Sequence, residues 1–291
     1  MTEQLFALPA NEKISSSISK SQQGQLDVLV IKHDKFRAAL SLQGAHLLAW
    51  QPTGEQPVIW LSTATAFTPG TAIRGGVPIC WPWFGPAGKP SHGFARTSLW
   101  QLSAHSEDAN GVALTLTLKD SEATRQLWPH AFTLHAHFKL GAECSIELES
   151  QGDFETTSAL HSYFEIGDIT QVAVSGLGES YIDKVLNGEA GKQSGDLTFD
   201  GQVDRVYTQP QAINHIKDPV LNRTIIVENH HNSDVVSWNP GAELSVKMQD
   251  MADDSYKTMV CVETAEVSRS AISTSTAPAR LAVTIKLRQG V

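Results

Sequence analysis

Apolar and polar residues alternate along this chain far more often than apolar residues recur at helical spacing. In Gly111–Lys119 the large apolar side chains fall at every second position, which is typical of a strand with one buried face. The dipeptide Asn110-Gly111 is a hairpin turn signal, and residues 98–106 supply a partner strand. A second hairpin is predicted from residues 132–140 and 143–149.

Other segments rich in β-branched and aromatic residues predict further strands. These are residues 25–32, 36–42, 158–166, 223–228, 234–238, 258–263 and 280–287. Only residues 121–128 have a brief helical pattern, and the Gly-rich residues 187–201 are interpreted as a long hairpin loop. Many short strands separated by turn residues favour a β-sandwich or barrel over alternating βα units. We therefore predict an all-β fold with very little helix, in a single domain spanning residues 1–291.

Composition excludes several classes of protein. Hydrophobic residues make up 41% of the chain, as in a globular protein, and the net charge of −9 argues against binding to nucleic acid. No apolar run has the length of a signal peptide core or a membrane span. Cys80, Cys144 and Cys261 are too few and too scattered for a disulfide framework or a CxxC metal motif. We expect a cytoplasmic protein with reduced cysteines and no membrane partner.

Two loop-like segments carry candidate binding residues. Residues 73–86 hold three prolines, three glycines and three aromatic residues, and residues 91–96 read Ser-His-Gly-Phe-Ala-Arg. Arg74 and Arg96 flank this region, and guanidinium groups match the oxygens of carboxylates and phosphates. The pair predicts an anion clamp. The alternatives are a packed Ω-like loop and two ordinary surface arginines.

Two strand-like segments carry candidate catalytic residues. Alternation places His161, Tyr163 and Glu165 on one strand face, although a single strand histidine is more often structural. The apolar residues 259–262 lead to Glu263, which we interpret as the end of a buried strand. A carboxylate there can have a raised pKa and act as a general base, or simply reach water at the sheet edge.

Metal binding and nucleophilic catalysis are poorly supported by the sequence. His135 and His137 share a strand face and His230 precedes His231, but no third ligand accompanies either pair at convincing spacing. There is no GxSxG motif and no cysteine beside a histidine. We predict neither a metal nor a cofactor.

Six motifs, taken in order, resemble those of one enzyme family. They are RGGVPICWPWFGP, SHGFAR, ALHSYF, DRVY, VVSWNPG and VCVETA, spread over residues 73–265. The chain is similar to the glucose-6-phosphate 1-epimerases, within the aldose 1-epimerase (galactose mutarotase-like) superfamily. This resemblance implies an antiparallel β-sandwich with a sugar site on a concave sheet face.

The resemblance also implies roles for individual residues. The catalytic residues would be His161 and Glu263, and the substrate-binding residues would be Arg74, Ser91, His92, Arg96 and Asp204. One position departs from the family pattern, because Ser91 stands where the family often has glutamine. A shorter side chain there would lose a direct contact with substrate or replace it with water.

The activity implied is the interconversion of α and β anomers of a hexose 6-phosphate. Nothing in the sequence demands a partner chain, so we expect a monomer. Glu263 would remove the proton of the anomeric hydroxyl while His161 protonates the ring oxygen, and ring closure would reverse both transfers. Trp238 or Trp81 would pack on an apolar sugar face. This chemistry requires no cofactor.

Three other functions remain open from the sequence. The first is an aldose 1-epimerase acting on unphosphorylated sugars with the same acid–base pair. The second is a carbohydrate-binding β-sandwich without catalysis. The third is a glycosidase that uses the carboxylates of Glu165 and Glu263.

Overall fold

A computed structural model describes residues 1–291 and consists mainly of antiparallel strands. Strands β1 to β21 are, in order, Glu12–Lys13, Ile18–Gln23, Leu26–His33, Phe36–Ser41, His46–Pro52, Ile79–Cys80, Gln101–Asp108, Gly111–Lys119, Thr133–Leu140, Cys144–Gln151, Phe154–Leu160, Tyr163–Glu165, Ala173–Ser175, Ser180–Asp183, Glu189–Lys192, Val203–Tyr207, Ile213–Asp218, Arg223–His230, Asp234–Asn239, Met259–Ser273 and Ala279–Gln289. Helices α1 to α3 are Thr2–Phe6, Glu122–Leu127 and Gly241–Ser245. Three short 3₁₀ helices are Gly85–Ala87, Ala95–Thr97 and Ser255–Thr258.

The strands form three sheets. The first five strands follow one another in a five-stranded sheet. One eight-stranded sheet has the order β13-β17-β18-β21-β10-β9-β8-β7, and we call it the outer sheet. The other has the order β15-β14-β16-β19-β20-β11-β6, with β12 also paired to β20, and we call it the site sheet.

The three sheets share one hydrophobic core. Its 50 buried residues include Leu29 of the five-stranded sheet, Leu116 and Ile146 of the outer sheet, and Val260 and Val262 of the site sheet. Burying apolar side chains from facing sheets is the main source of stability in such a fold. The predicted all-β architecture is therefore confirmed.

Several sequence predictions are confirmed element by element. Strand β8 spans Gly111–Lys119 as predicted, and every second side chain is buried. Helix α2 lies within residues 121–128, where Ser121 caps the helix by accepting a hydrogen bond from the Thr124 amide. Helices α1 and α3, each five residues long, were not predicted.

Other predictions were wrong in detail. The strand predicted to end at Glu263 continues to Ser273, so this carboxylate lies inside β20 rather than at its end. The segment 158–166 is two strands, because the chain leaves the ladder between Leu160 and Tyr163. Within the predicted loop 187–201, residues 189–192 form β15, which pairs with β14.

Helices α1 to α3 have only five or six residues each, and a helix needs about 20 apolar residues to span a bilayer.

Candidate active site

Strand β20 supplies the carboxylate at the centre of the site. Successive side chains of a strand point to opposite faces. Val260 and Val262 point into the core, whereas Cys261 and Glu263 point to the other face of the site sheet. The Glu263 side chain is only 1% exposed, and its Oε2 has no hydrogen-bond partner in the protein.

The interruption between β11 and β12 brings an imidazole to this carboxylate. The His161 amide donates to the Pro78 carbonyl at 3.0 Å rather than to β20. The side chain then lies against β20, with Nδ1 3.5 Å from Glu263 Oε1. His161 Nδ1 is buried and makes no hydrogen bond within the protein. Buried polar atoms are rarely left unpaired, so this pair points to a ligand.

Burial and nearby charges oppose ionisation of both groups. Burial raises the pKa of Glu263 well above its usual value, and the Asp204 carboxylate adds to this shift. Burial lowers the pKa of His161 well below its usual value, and His92, Arg74 and Arg96 add to it. Without a ligand, the proton therefore resides on the carboxyl and the imidazole is neutral. Strong shifts of this kind are typical of catalytic groups.

Tyr163 connects His161 to the first predicted arginine. Its ring stacks on the His161 imidazole, with centroids 4.7 Å apart and planes 6° apart. Its hydroxyl lies 2.9 Å from Arg74 Nη1, which donates to it. Arg74 also donates from Nε to Asp250 Oδ2 at 3.1 Å. The guanidinium is thus fixed from two sides near the His161 imidazole.

Gly93 allows the loop of residues 91–96 to pack against the loop of residues 73–86. Gly93 has φ +71°, and a Cβ there would lie 2.0 Å from the Trp81 carbonyl oxygen. That carbonyl accepts hydrogen bonds from the Phe94 and Ala95 amides at 3.1 and 3.2 Å. The contact directs His92 toward the site, where its ring centroid is 5.7 Å from that of His161. Burial and the charges of nearby arginines lower the pKa of His92 to about 3, so its ring is neutral.

Arg96 is held by its own loop. Its Nη2 donates to the Ser91 carbonyl at 2.8 Å, while the Ser91 hydroxyl donates to the Gly85 carbonyl at 3.1 Å. Ser91 therefore orients Arg96 through its backbone, and its hydroxyl is engaged within the loop. The charge of Arg96 still acts on His92 and His161, whose pKa values it helps to lower.

Asp204 lies on the same face of the site sheet. It is opposite Trp238 in the pairing of β16 with β19, and Trp238 is opposite Cys261 in the pairing of β19 with β20. Burial raises the pKa of Asp204 to about 6. Its charge also raises the pKa of Glu263, as expected for two carboxylates on the same sheet face.

The structure separates residues that the sequence had grouped together. Trp238 lies beside His161, with ring centroids 6.2 Å apart, whereas Trp81 is fully buried among core aromatic residues and cannot contact a sugar. The carboxyl of Glu165 has Arg223 as its charged neighbour rather than Glu263. The acid–base pair assumed for a glycosidase is therefore not assembled.

One group of side chains here has the composition of a metal site. The ligand atoms of His161, Cys261 and Glu263 lie within 4.8 Å of one another. Burial raises the pKa of the Cys261 thiol well above its usual value, so the thiolate form is disfavoured. Two arginines also add positive charge, which opposes a cation. The group is better suited to proton transfer than to holding a metal.

A family model described as aldose 1-epimerase matches residues 27–278. The chain belongs to the aldose 1-epimerase family. This confirms the resemblance found in the sequence and identifies the protein as an isomerase.

Relatives of this aldose 1-epimerase family member match it over almost the whole chain. Proteins from Salmonella typhimurium and Escherichia coli, each named "putative glucose-6-phosphate 1-epimerase", are 55% and 53% identical, and the matches cover 98% and 99% of both chains. A crystal structure from Salmonella typhimurium, of a "putative mutarotase (YeaD)", superposes with a TM-score of 0.97 at 54% identity and covers 99% of both chains.

Two contact residues of this epimerase-family site were missed by the sequence reasoning. Tyr163 was placed on the correct strand face but given no role, although its position two residues after His161 was a usable signal. Asp250 contacts Arg74 across 176 residues of sequence, from an irregular segment between α3 and β20. No local pattern marks it.

Proposed function

We propose that this family member interconverts the α and β anomers of hexose 6-phosphates, chiefly glucose 6-phosphate. The observation that carries the proposal is the buried pair of His161 and Glu263, in which His161 Nδ1 and Glu263 Oε2 lack protein partners. A sugar that donates its anomeric hydroxyl to Glu263 Oε2 would satisfy one of these atoms. The names of the relatives support glucose 6-phosphate as the substrate.

In the proposed reaction Glu263 is the base and His161 the acid. The carboxylate takes the anomeric hydroxyl proton as the imidazolium gives a proton to the ring oxygen, and the C1–O5 bond breaks to give the aldehyde. After rotation about C1–C2, His161 recovers the proton from the C5 hydroxyl and the protonated carboxyl returns one to the carbonyl oxygen. Each group would contribute about 10²–10⁴-fold to the rate.

The proton distribution of the free site matches one stage of this reaction. A protonated carboxyl and a neutral imidazole are the forms present after ring opening. The buried surroundings therefore favour the transfer that opens the ring. A hydrogen bond donated by a sugar hydroxyl would lower the pKa of Glu263, and an anion beside the arginines would raise the pKa of His161. Both effects favour the ionised form of the pair.

Arg74 and Arg96 are proposed to bind the 6-phosphate. Charge-assisted hydrogen bonds from guanidinium groups to phosphate are strong and directional. Asp204 would accept hydrogen bonds from sugar hydroxyls, and Trp238 would pack on an apolar face of the ring. His92 would lie beside the substrate as a neutral hydrogen-bonding group, and Ser91 would act through Arg96.

Saturation-transfer NMR on the two anomers of glucose 6-phosphate tests the proposal directly. We expect exchange well above the spontaneous rate with the wild type, and a loss of at least 100-fold in His161→Ala and in Glu263→Gln. The exposed variant Glu12→Gln serves as a control for the carboxylate change. Wild-type exchange no faster than background would instead support a carbohydrate-binding protein.

A second candidate is an epimerase of unphosphorylated sugars. The same acid–base pair would serve it, and Arg74 already has Asp250 as an ionic partner without a phosphate. Comparing exchange rates of glucose and glucose 6-phosphate separates the two functions. Equal efficiency with both sugars would favour the unphosphorylated substrate.

A further inference from the structure

A second group of polar side chains lies on the outer sheet, away from the proposed active site. An open groove of about 1010 Å³ follows the solvent face of this sheet and is lined mainly by polar residues. At its centre are His135, His137, Glu147 and Glu149, which we call the outer cluster. The alternate side chains of the same strands, such as Phe138 and Ile146, point into the core, so the outer cluster faces solvent.

Strand register makes this cluster compact. His137 is directly opposite Glu147, and His135 is directly opposite Glu149, in the pairing of β9 with β10. Directly opposed residues have Cβ atoms about 4.5–5.5 Å apart. The sequence showed only two histidines on one face, and the register adds two carboxylates that sequence spacing did not reveal.

The potential ligand atoms converge. One atom each from His137, Glu147 and Glu149 lies within 4.8 Å of the other two. Tetrahedral coordination with bonds of about 2.0–2.1 Å places ligand atoms about 3.4 Å apart. Movements of about 1 Å by half-buried glutamate side chains close this gap.

Both imidazoles are oriented by the neighbouring strand. Thr115 Oγ1 lies 3.1 Å from His137 Nδ1, and Thr117 Oγ1 lies 2.9 Å from His135 Nδ1. These contacts leave each Nε2 as the free nitrogen. A hydrogen bond at the second ring nitrogen is the usual way in which a protein fixes a metal-binding histidine.

Arg280 holds the two carboxylates together from the opposite side. Its Nη2 lies 2.5 Å from Glu149 Oε2, and its Nη1 lies 3.5 Å from Glu147 Oε1. Each carboxylate keeps its other oxygen without a protein partner. The arginine thus orients the glutamates, although its charge reduces the affinity for a cation.

We propose that the outer cluster binds a divalent transition-metal ion such as Zn²⁺ through His137, Glu147 and Glu149. Imidazole and carboxylate together suit borderline ions of this kind, whereas Mg²⁺ prefers octahedral oxygen ligands. The site belongs to the outer sheet and takes no part in ring opening.

Titration with Zn²⁺ by calorimetry tests the proposal. His161→Ala is the background, because it removes the imidazole from the group around Cys261. We expect one Zn²⁺ per chain, at least tenfold weaker binding after adding His137→Ala or Glu147→Gln, and no saturable binding of Mg²⁺. Adding Thr115→Val should weaken binding about tenfold through loss of imidazole orientation.

His230→Ala is the matched control, since this exposed histidine lines the same groove outside the cluster. After adding His230→Ala, the affinity for Zn²⁺ should equal that of His161→Ala alone. The cluster side chains and His230 lie on the solvent face of the sheet, so circular dichroism should show the same folding as the His161→Ala background. The proposal would be overturned if His161→Ala showed no saturable binding of Zn²⁺. It would also be overturned if adding His137→Ala or Glu147→Gln left the Zn²⁺ affinity unchanged.

Discussion

The Tyr163 ring lies parallel to the His161 imidazole at 4.7 Å, while its hydroxyl contacts Arg74. One side chain therefore touches both the proposed acid and a proposed phosphate ligand. We interpret Tyr163 as a positioning residue, because two separate contacts define its role. The hydroxyl contact can be removed while the stack is kept.

Tyr163→Phe removes the hydroxyl and keeps the stacked ring. Losing a hydrogen bond to a charged group costs about 1.5–3 kcal/mol, but Asp250 still holds Arg74, so we expect the KM for glucose 6-phosphate to rise about 3–10-fold with little change in kcat. Tyr163→Leu also removes the stack and should lower kcat. Steady-state kinetics of both variants distinguish these effects, and an unchanged KM in Tyr163→Phe would refute the role of the hydroxyl.

Arg74→Ala and Arg96→Ala test the proposed phosphate site. Each removes charge-assisted hydrogen bonds, so the KM for glucose 6-phosphate should rise about 10–100-fold. Turnover of glucose should change much less, because it carries no phosphate. Arg125→Ala, which removes an arginine from the surface helix α2, should leave both substrates unaffected. Equal losses with the two sugars would argue against the phosphate site.

Glu263→Gln should stabilise the protein in a pH-dependent way. The pKa of this carboxyl is raised in the folded state, so the folded state retains a proton that the unfolded chain releases above about pH 4.5. The free energy of unfolding of the wild type therefore falls as the pH rises toward the raised pKa. Glu263→Gln lacks this loss. We expect its free energy of unfolding to exceed that of the wild type by about 1–2 kcal/mol at pH 8, and this difference should shrink toward pH 4.5.

Thermal unfolding of wild type and Glu263→Gln at pH 5 and pH 8 measures this difference. The increase in Tm should be larger at pH 8. Glu12→Gln changes an exposed carboxyl and should show no such trend. A larger increase at pH 5 would contradict the assigned direction of the pKa shift.

Gly93→Ala should disturb the loop that carries His92 and Arg96. The added Cβ would lie 2.0 Å from the Trp81 carbonyl oxygen, so the backbone must move. Gly195→Ala is the matched control, because its φ of +78° is similar but nothing lies within 4 Å of its Cβ. We expect the control to lose about 1 kcal/mol of stability and Gly93→Ala to lose clearly more, with a raised KM. Equal melting temperatures would show that the close contact is unimportant.

The sequence predicted strands best where one face is buried and the other is exposed to solvent. Strand β8 satisfies this condition and was predicted without error. Strand β20 does not, because Thr264 is buried and donates to Asn229 Oδ1 at 2.6 Å. Buried polar groups paired between two sheets look like the end of a strand when only hydrophobicity is considered, and the prediction stopped ten residues early.

The site was predictable only as far as the motifs extended. Motif order singled out His161 and Glu263, which the fold brings within 3.5 Å. The contact between Arg74 and Asp250 joins two segments that lie 176 residues apart, share no motif and belong to no strand. The outer cluster depends on the register of the β9–β10 hairpin, which the sequence predicted as two paired strands without fixing which residues oppose each other.

The alternation of side chains along β20 has a consequence for how this gene can change over evolutionary time. Val262 and Glu263 are neighbours in sequence, yet Val262 packs into the core and Glu263 lies on the opposite face of the sheet, beside His161. An insertion or deletion of one residue here would exchange their sides, so that folding and activity would fail together. Point replacements can accumulate in this segment, whereas its length is fixed.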